Sequence, residues 1–306
     1  MNKKYKADIL ILLIFLFVLT ISSVSASDIS VGGNGSDYST LKDGVSNSQN
    51  GDNIYIETGT YQENDISIKH ALTISSKENS DVTIDANNGK VFSVDKNAQL
   101  TLIGIEFKNG KSDSGGIIDN KGTTNIDNCS FSNCYSSGYG GVVYNEGNLT
   151  VKNSVIKNNI AESQGGFVHN EEGNVKITNS SLINNQAARG GTIYNHFGEI
   201  TIDNCKFINN SCGKYGQLGG AIKNWGSATI TNSIFDGNNG AGEGGAIYNF
   251  YAPLTIKNCT FTNNTATSGQ AIENIQYKYN PYTVTITESV FRNNGITNTE
   301  KEGKWI

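Results

Sequence analysis

The stretch GGAIYNF at 244–250 decides the fold. Close relatives stand at GGIIDN (115), GGVVYN (140), GGFVHN (165), GGTIYN (190), GGAIKN (219) and GQAIEN (269), in steps of 25, 25, 25, 29, 25 and 25. A second landmark runs in phase with the first: NCSF at 128, NSVI at 153, NSSL at 179, NCKF at 204, NSIF at 232, NCTF at 258 and ESVF at 288. A fixed period in the range of roughly 20–50 residues is the signature of a solenoid or a propeller. The long step is absorbed by SCGKYGQLGG, placed in a turn, and the last coil is expanded by QYKYNPY at 276–282.

Each repeat carries short apolar–polar alternations such as LTVKN, ITIDN and LTIKN. These read as strands of period two and are too short and too rich in Gly and Asn for helices. Asn recurs after the GG strand at 120, 145, 170, 195, 224, 249 and 274. Asn accepts left-handed backbone and bonds neighbouring main chain. Stacked once per coil, its amides form a ladder, and Asn145, Asn170, Asn195, Asn224 and Asn249 are assigned that structural role. The pattern specifies an all-β chain: a right-handed, single-stranded parallel β-helix of nine or ten coils over 27–295, with a short capping helix near its start.

The columns of the repeat assign faces. Ile118, Val143, Val168, Ile193, Ile222, Ile247 and Ile272 form one β-branched column, expected inside. Phe131, Ile156, Leu182, Phe207, Phe235, Phe261 and Phe291 form another. The column Asp119, Tyr144, His169, Tyr194, Lys223, Tyr248, Glu273 mixes chemistries, which predicts solvent. Within it Tyr144, His169, Tyr194, Lys223 and Tyr248 are the candidate binding residues, because aromatic faces stack on sugars and anchor protein partners.

Composition narrows the function. Charged residues are 17% of the chain, against about 25% in an average globular protein, and the net charge is −5. No basic stripe is present, which excludes a nucleic-acid partner. Lys3, Lys4 and Lys6, the apolar run Ile9–Ile21 and the small residues before Ala26 read as a signal peptide over 1–26. An uncleaved anchor is the alternative, and would give the only membrane contact. The body of the protein is expected outside the cell or on its surface.

At the start of the chain, GDNIYIETGTYQE at 51–63 follows a short helix expected over Ser39–Asn47, with Leu41 and Val45 inward. Such an element over 27–65 covers the first coil, whose end otherwise exposes apolar side chains and unpaired edges. Through Gly51, Asp52, Ile54, Ile56, Gly59, Tyr61, Glu63 and the following VTIDANNG at 82–89, this segment resembles the start of pectin-lyase-like right-handed β-helix proteins. The GGAIYN units paired with FxxN (Phe207–Asn210, Phe235–Asn238, Phe261–Asn264, Phe291–Asn294) resemble the repeats of polymorphic outer-membrane proteins and adhesin-like surface proteins. The resemblance spans 28–295 and implies the fold and a surface location. It implies little about activity, since one fold hosts many chemistries.

Catalytic patterns are sparse. Arg189 and Arg292 are the only arginines, and carboxylates are scattered. A lyase of this fold, as the resemblance implies it, uses a cationic base beside a carboxylate cluster that holds calcium. A hydrolase needs paired Asp groups. His70, His169 and His196 stand in separate contexts, and His169, in the outward column, and His196, at a turn, are expected to be solvated and not catalytic. No CxxC is present to suggest zinc. Cys129, Cys205 and Cys259 share one slot, where other coils carry Ser, and read as buried thiols. Cys205–Cys212 is the one local disulfide the spacing leaves open. Sequons at Asn128, Asn179 and Asn258 are expected to be inaccessible corner positions.

The sequence therefore favours a secreted or surface-exposed adhesin-like protein with no catalytic residue, metal or cofactor, presenting a repetitive face to extracellular glycans or proteins. A secreted carbohydrate-active enzyme of polysaccharide lyase type is the alternative. The segment 296–306 is expected to be a weakly capping tail, leaving end-to-end self-association open.

Overall fold

The computed structural model describes residues 26–301 apart from 79, 214–215 and 279–281. The expected signal peptide, all but its last residue, lies outside the described residues, as does the end of the expected tail.

The chain winds into a right-handed parallel β-helix of about 11 turns. One turn shows the plan. Val143–Asn145 and Asn148–Lys152 form two strand segments of one long sheet, Val155–Lys157 lies in a second sheet and Ile160–Gln164 in a third. Each segment pairs in parallel with its counterpart one turn away, as in Val143↔Val168, Leu149↔Val175, Ile156↔Leu182 and Ala161↔Ala187.

The corners explain the repeat. Between the second and third segments, Asn128, Asn153, Asn179, Asn204, Asn232 and Asn258 take left-handed backbone with φ near 51°. Their amides bond outside the core, for example Asn179 Nδ2 to Asn153 Oδ1 and Asn204 Nδ2 to Asn179 Oδ1. Contrary to the expectation for the sequons, Asn128, Asn179 and Asn258 are exposed. The bend requires the αL backbone and not burial.

At the GG corner both glycines are needed. Gly190 has φ +59°, and a Cβ there would lie 2.2 Å from the Ile193 carbonyl oxygen. A Cβ on Gly191 would lie 2.1 Å from the Gly220 oxygen of the next turn. No L side chain fits, because the stacked backbones touch.

The interior follows the two columns. Ile118 through Ile272 are fully buried. The Phe column stacks ring on ring, with centroids 4.7 Å apart for Phe207–Phe235 and 4.8 Å for Phe235–Phe261. Those separations match the roughly 4.8 Å between neighbouring strands.

Asn120, Asn145, Asn170, Asn195, Asn224, Asn249 and Asn274 make a continuous buried amide ladder, each Nδ2 donating to the next Oδ1 at 2.6–2.8 Å. A second buried ladder runs Asn159–Asn185–Asn210–Asn238–Asn264. The cysteine slot forms a third column, in which Ser154, Ser233 and Ser289 accept from the Cys129, Cys205 and Cys259 backbone N–H. All five cysteines are buried free thiols, so no Cys205–Cys212 disulfide forms.

At the N-terminal end, helix Leu41–Ser46 starts at Thr40 and buries Leu41 and Val45. Glu63 accepts from the Leu41 and Lys42 N–H groups, and Asp52 accepts from Ser27 and Gln49. Both acids of the GD…E pattern therefore hold the cap. At the other end, Ile296–Lys301, expected as tail, pairs in parallel with Ile272–Tyr277 and adds a further strand.

Candidate functional site

The mixed column lies outside the sheet but is not exposed. His169, Tyr194 and Tyr248 are each 3% exposed, Lys223 is 6% exposed and Glu273 1%. Tyr144 is half-buried. The expectation of a solvated column is corrected. The GG corner turns the preceding strand through a sharp bend, so its last residues rise beside the column: Tyr139, Gln164, Arg189, Leu218, Glu243 and Ser268, in register turn by turn. On the other side stand Glu171, His196 and Trp225, in register, then Phe250 beside Ile275. The column is thus the floor of a furrow between two walls that run along the helix axis.

The floor is packed ring on ring. Tyr144 stacks on His169 and His169 on Tyr194, each pair at 5.2 Å and within 6° of parallel. Tyr139 leans over His169 at 5.0 Å. Next in line, Lys223 places Nζ 4.8 Å from the Tyr194 ring centre, 5.7 Å from Trp225, 5.9 Å from Phe250 and 6.0 Å from Tyr248. Its ammonium also donates to Tyr194 Oη at 3.4 Å. Burial, reinforced by the positive charge of Arg189, brings the Lys223 pKa down to about 8. Burial pushes the Tyr144 and Tyr194 phenols up to about 12. Tyr248 moves in the same direction, from burial and from Glu243.

The histidines are not solvated either. Glu171 spans both, Oε2 to His169 Nε2 at 2.8 Å and Oε1 to His196 Nδ1 at 2.7 Å. Partial burial works against the Glu171 charge, yet the two imidazole hydrogen bonds outweigh it and hold its carboxyl below the usual range. Burial lowers the His169 pKa in spite of Glu171. His169 Nδ1 is buried without a hydrogen-bond partner among the described residues. His70 lies apart, with Nε2 3.2 Å from Ser48 Oγ. Asn145, Asn170, Asn195, Asn224 and Asn249 sit beneath the floor as its framework.

Sequence reasoning gave the floor residues but missed the walls. Arg189 and Glu243 reach the floor from the segment before the GG corner, and the register across that corner was the signal that could have found them, whereas Trp225 and Phe250 stand two residues beyond Lys223 and Tyr248 on the floor's own strands. Chemically, the middle of the furrow joins a lysine poised between charge states, an arginine and protonated phenols. Among the described residues no three His, Cys, Asp or Glu side chains gather as a metal site.

Comparison with known proteins agrees with the fold. A family described as a right-handed beta helix region matches residues 165–303. No curated protein matches the chain. Among solved structures, the PL6 family alginate lyase AlyGC is 17% identical with a TM-score of 0.52, over 91% of this chain and 39% of that one. The alginate lyase AlyF-OU02, solved in complex with G6, is 14% identical with a TM-score of 0.54, over 93% and 62%. Pectin methylesterase from Aspergillus niger is 18% identical with a TM-score of 0.48, over 80% and 87%. The chain spans less than two thirds of the length of either lyase. The expectation that the chain is not an enzyme is overturned, because the fold it shares with these neighbours is that of alginate lyases. That expectation leaned on scarce arginine and scattered acids, and missed a cationic centre assembled from residues 34 positions apart.

Proposed function

We propose that the chain is an extracellular carbohydrate-active enzyme that cleaves an acidic polysaccharide by β-elimination in the furrow. One observation carries the proposal: Lys223, sunk in an aromatic floor beside Arg189, with its pKa at about 8. Elimination from a uronide needs a base for the proton on the carbon next to the carboxylate. A base is most effective when its pKa lies near the working pH.

Lys223 in its neutral form removes that proton. Arg189 stabilises the negative charge that spreads into the carboxylate, as a fixed cation does for a developing anion. The electron pair forms the ring double bond and expels the glycosidic oxygen. Tyr194, kept protonated by burial, gives that oxygen a proton and recovers one from Lys223 through the 3.4 Å contact. The alginate lyases among the structural neighbours support the substrate class. The resemblance of the repeats to surface proteins, and the expected signal peptide, support an extracellular setting. The test is absorbance of the unsaturated product on alginate and polygalacturonate, for wild type and Lys223→Met. Turnover by wild type alone supports the proposal, and equal turnover by both refutes it.

A further inference from the structure

One wall of the furrow is aromatic. His196, Phe197 and Trp225 touch one another, with ring centres 4.3 Å (His196–Phe197), 4.8 Å (Phe197–Trp225) and 5.1 Å (His196–Trp225) apart. Phe250 continues the row 5.3 Å from Trp225, and Tyr251 follows 4.3 Å from Phe250. Phe197 is 54% exposed, the most exposed large apolar side chain among the described residues. It also holds φ +56°, and Tyr251 holds +49°. A bulky side chain in that region is strained; Glu172 holds +59° at the matching corner of the preceding turn, so the angle comes with the three-residue corner and the exposed ring is what sets Phe197 apart. Other coils turn this corner more cheaply: Asn145 and Asn224 reach their next strand through Glu146-Gly147 and Trp225-Gly226.

We infer that His196, Phe197, Trp225 and Phe250 form a stacking platform for consecutive sugar rings of a linear acidic glycan lying along the helix axis. This deepens the function proposed above and rests on its substrate class. Two features select the occupant. His196, Trp225 and Phe250 advance one turn at a time, about the advance of one sugar per turn, and Phe197 adds an exposed ring beside His196 on which the C–H face of a pyranoside can stack. The Lys223 ammonium lies 5.7 Å from the Trp225 ring and 5.9 Å from Phe250, with Arg189 on the opposite wall, so carboxylates of a stacked chain would meet positive charge at the furrow floor.

Affinity electrophoresis in gels carrying alginate, polygalacturonate or neutral galactomannan tests the platform, with thermal melting run on the same proteins. Wild type is expected to be retarded by a polyuronate and not by galactomannan. Phe197→Gly and Trp225→Ala are expected to bind roughly three- to tenfold more weakly, and Phe197→Tyr close to wild type. Phe197→Gly is also expected to melt no lower than wild type, because glycine releases the αL strain. Binding by Phe197→Gly equal to wild type overturns the platform, as does a clearly lower melting point, which would make the ring structural. Absence of retardation in every gel overturns it too. Weakened binding in the ring variants of a wild type that shows no turnover upholds the platform and removes the elimination chemistry. Turnover with binding indifferent to the rings does the reverse.

Discussion

Asn195→Ala is the sharpest test of the framework beneath the furrow. Asn195 is fully buried. Its Nδ2 donates to Gly198 O at 3.0 Å, Asn224 Oδ1 at 2.8 Å and Ser227 O at 3.3 Å, while its Oδ1 accepts from Asn170 Nδ2 at 2.8 Å. Alanine removes all four contacts. Asn170 keeps Gly173 O at 2.7 Å, and Asn224 Oδ1 keeps a long contact from Gly226 N at 3.4 Å. The Gly198 and Ser227 carbonyls lose the donation from Asn195. A buried polar group left without its partner costs about 1–3 kcal/mol, so the partial losses sum to about 3–5 kcal/mol. Because a solenoid turn interacts mainly with its neighbours, the loss is local. Amide exchange should open first in the turns around 170–224, and the urea midpoint followed by tryptophan fluorescence should fall. Asn195→Asp keeps an acceptor but buries a charge and loses the donor, and should be no better. A change below about 1 kcal/mol, or exchange that speeds up uniformly along the chain, would refute the ladder as the element that fixes this corner.

Other consequences follow from the same geometry. Gly191→Ala drives a methyl to 2.1 Å from the Gly220 oxygen, and the variant should fail to accumulate as folded protein in a solubility and circular dichroism assay. Cys205→Ser places in one coil what Ser180 and Ser233 hold in the adjacent ones, and should change the unfolding free energy measured in urea by less than about 1.5 kcal/mol. The five thiols should react with a thiol reagent only after unfolding, since all are buried and burial raises the pKa of each. Lys223 is depressed from 10.5 to about 8, so between those pH values the unfolded chain binds more protons. Wild type should therefore gain stability relative to Lys223→Met as pH rises from 8 to 10.5, by about 1–3 kcal/mol, measured by paired melts.

The fold was legible because each coil restates the same constraints. The Ile and Phe columns, the αL asparagines and the GG corners recur at one spacing, and each has a single physical solution. The site was less legible. Tyr194 and Tyr248 vary along their column as solvent-facing residues do, yet the wall raised by the GG corner buries them. Exposure depends on the neighbouring segment and not on the alternation within one strand. Lys223 and Arg189 meet only because the 29-residue step leaves the register intact, which sequence alone does not state. The strained Phe197 was invisible for the same reason: its backbone angle follows from a corner one residue longer than those at Gly147 and Gly226.

The proposed elimination turns on Lys223. The most direct measurement is the pH profile of unsaturated-product release from polyuronates by wild type and Lys223→Met. Turnover by wild type should rise with pH through a pKa near 8 as Lys223 loses its proton, and Lys223→Met, shown to be folded by its own cooperative melt, should show none. Turnover retained by the methionine variant, or a polyuronate bound and never cleaved by wild type, would contradict it.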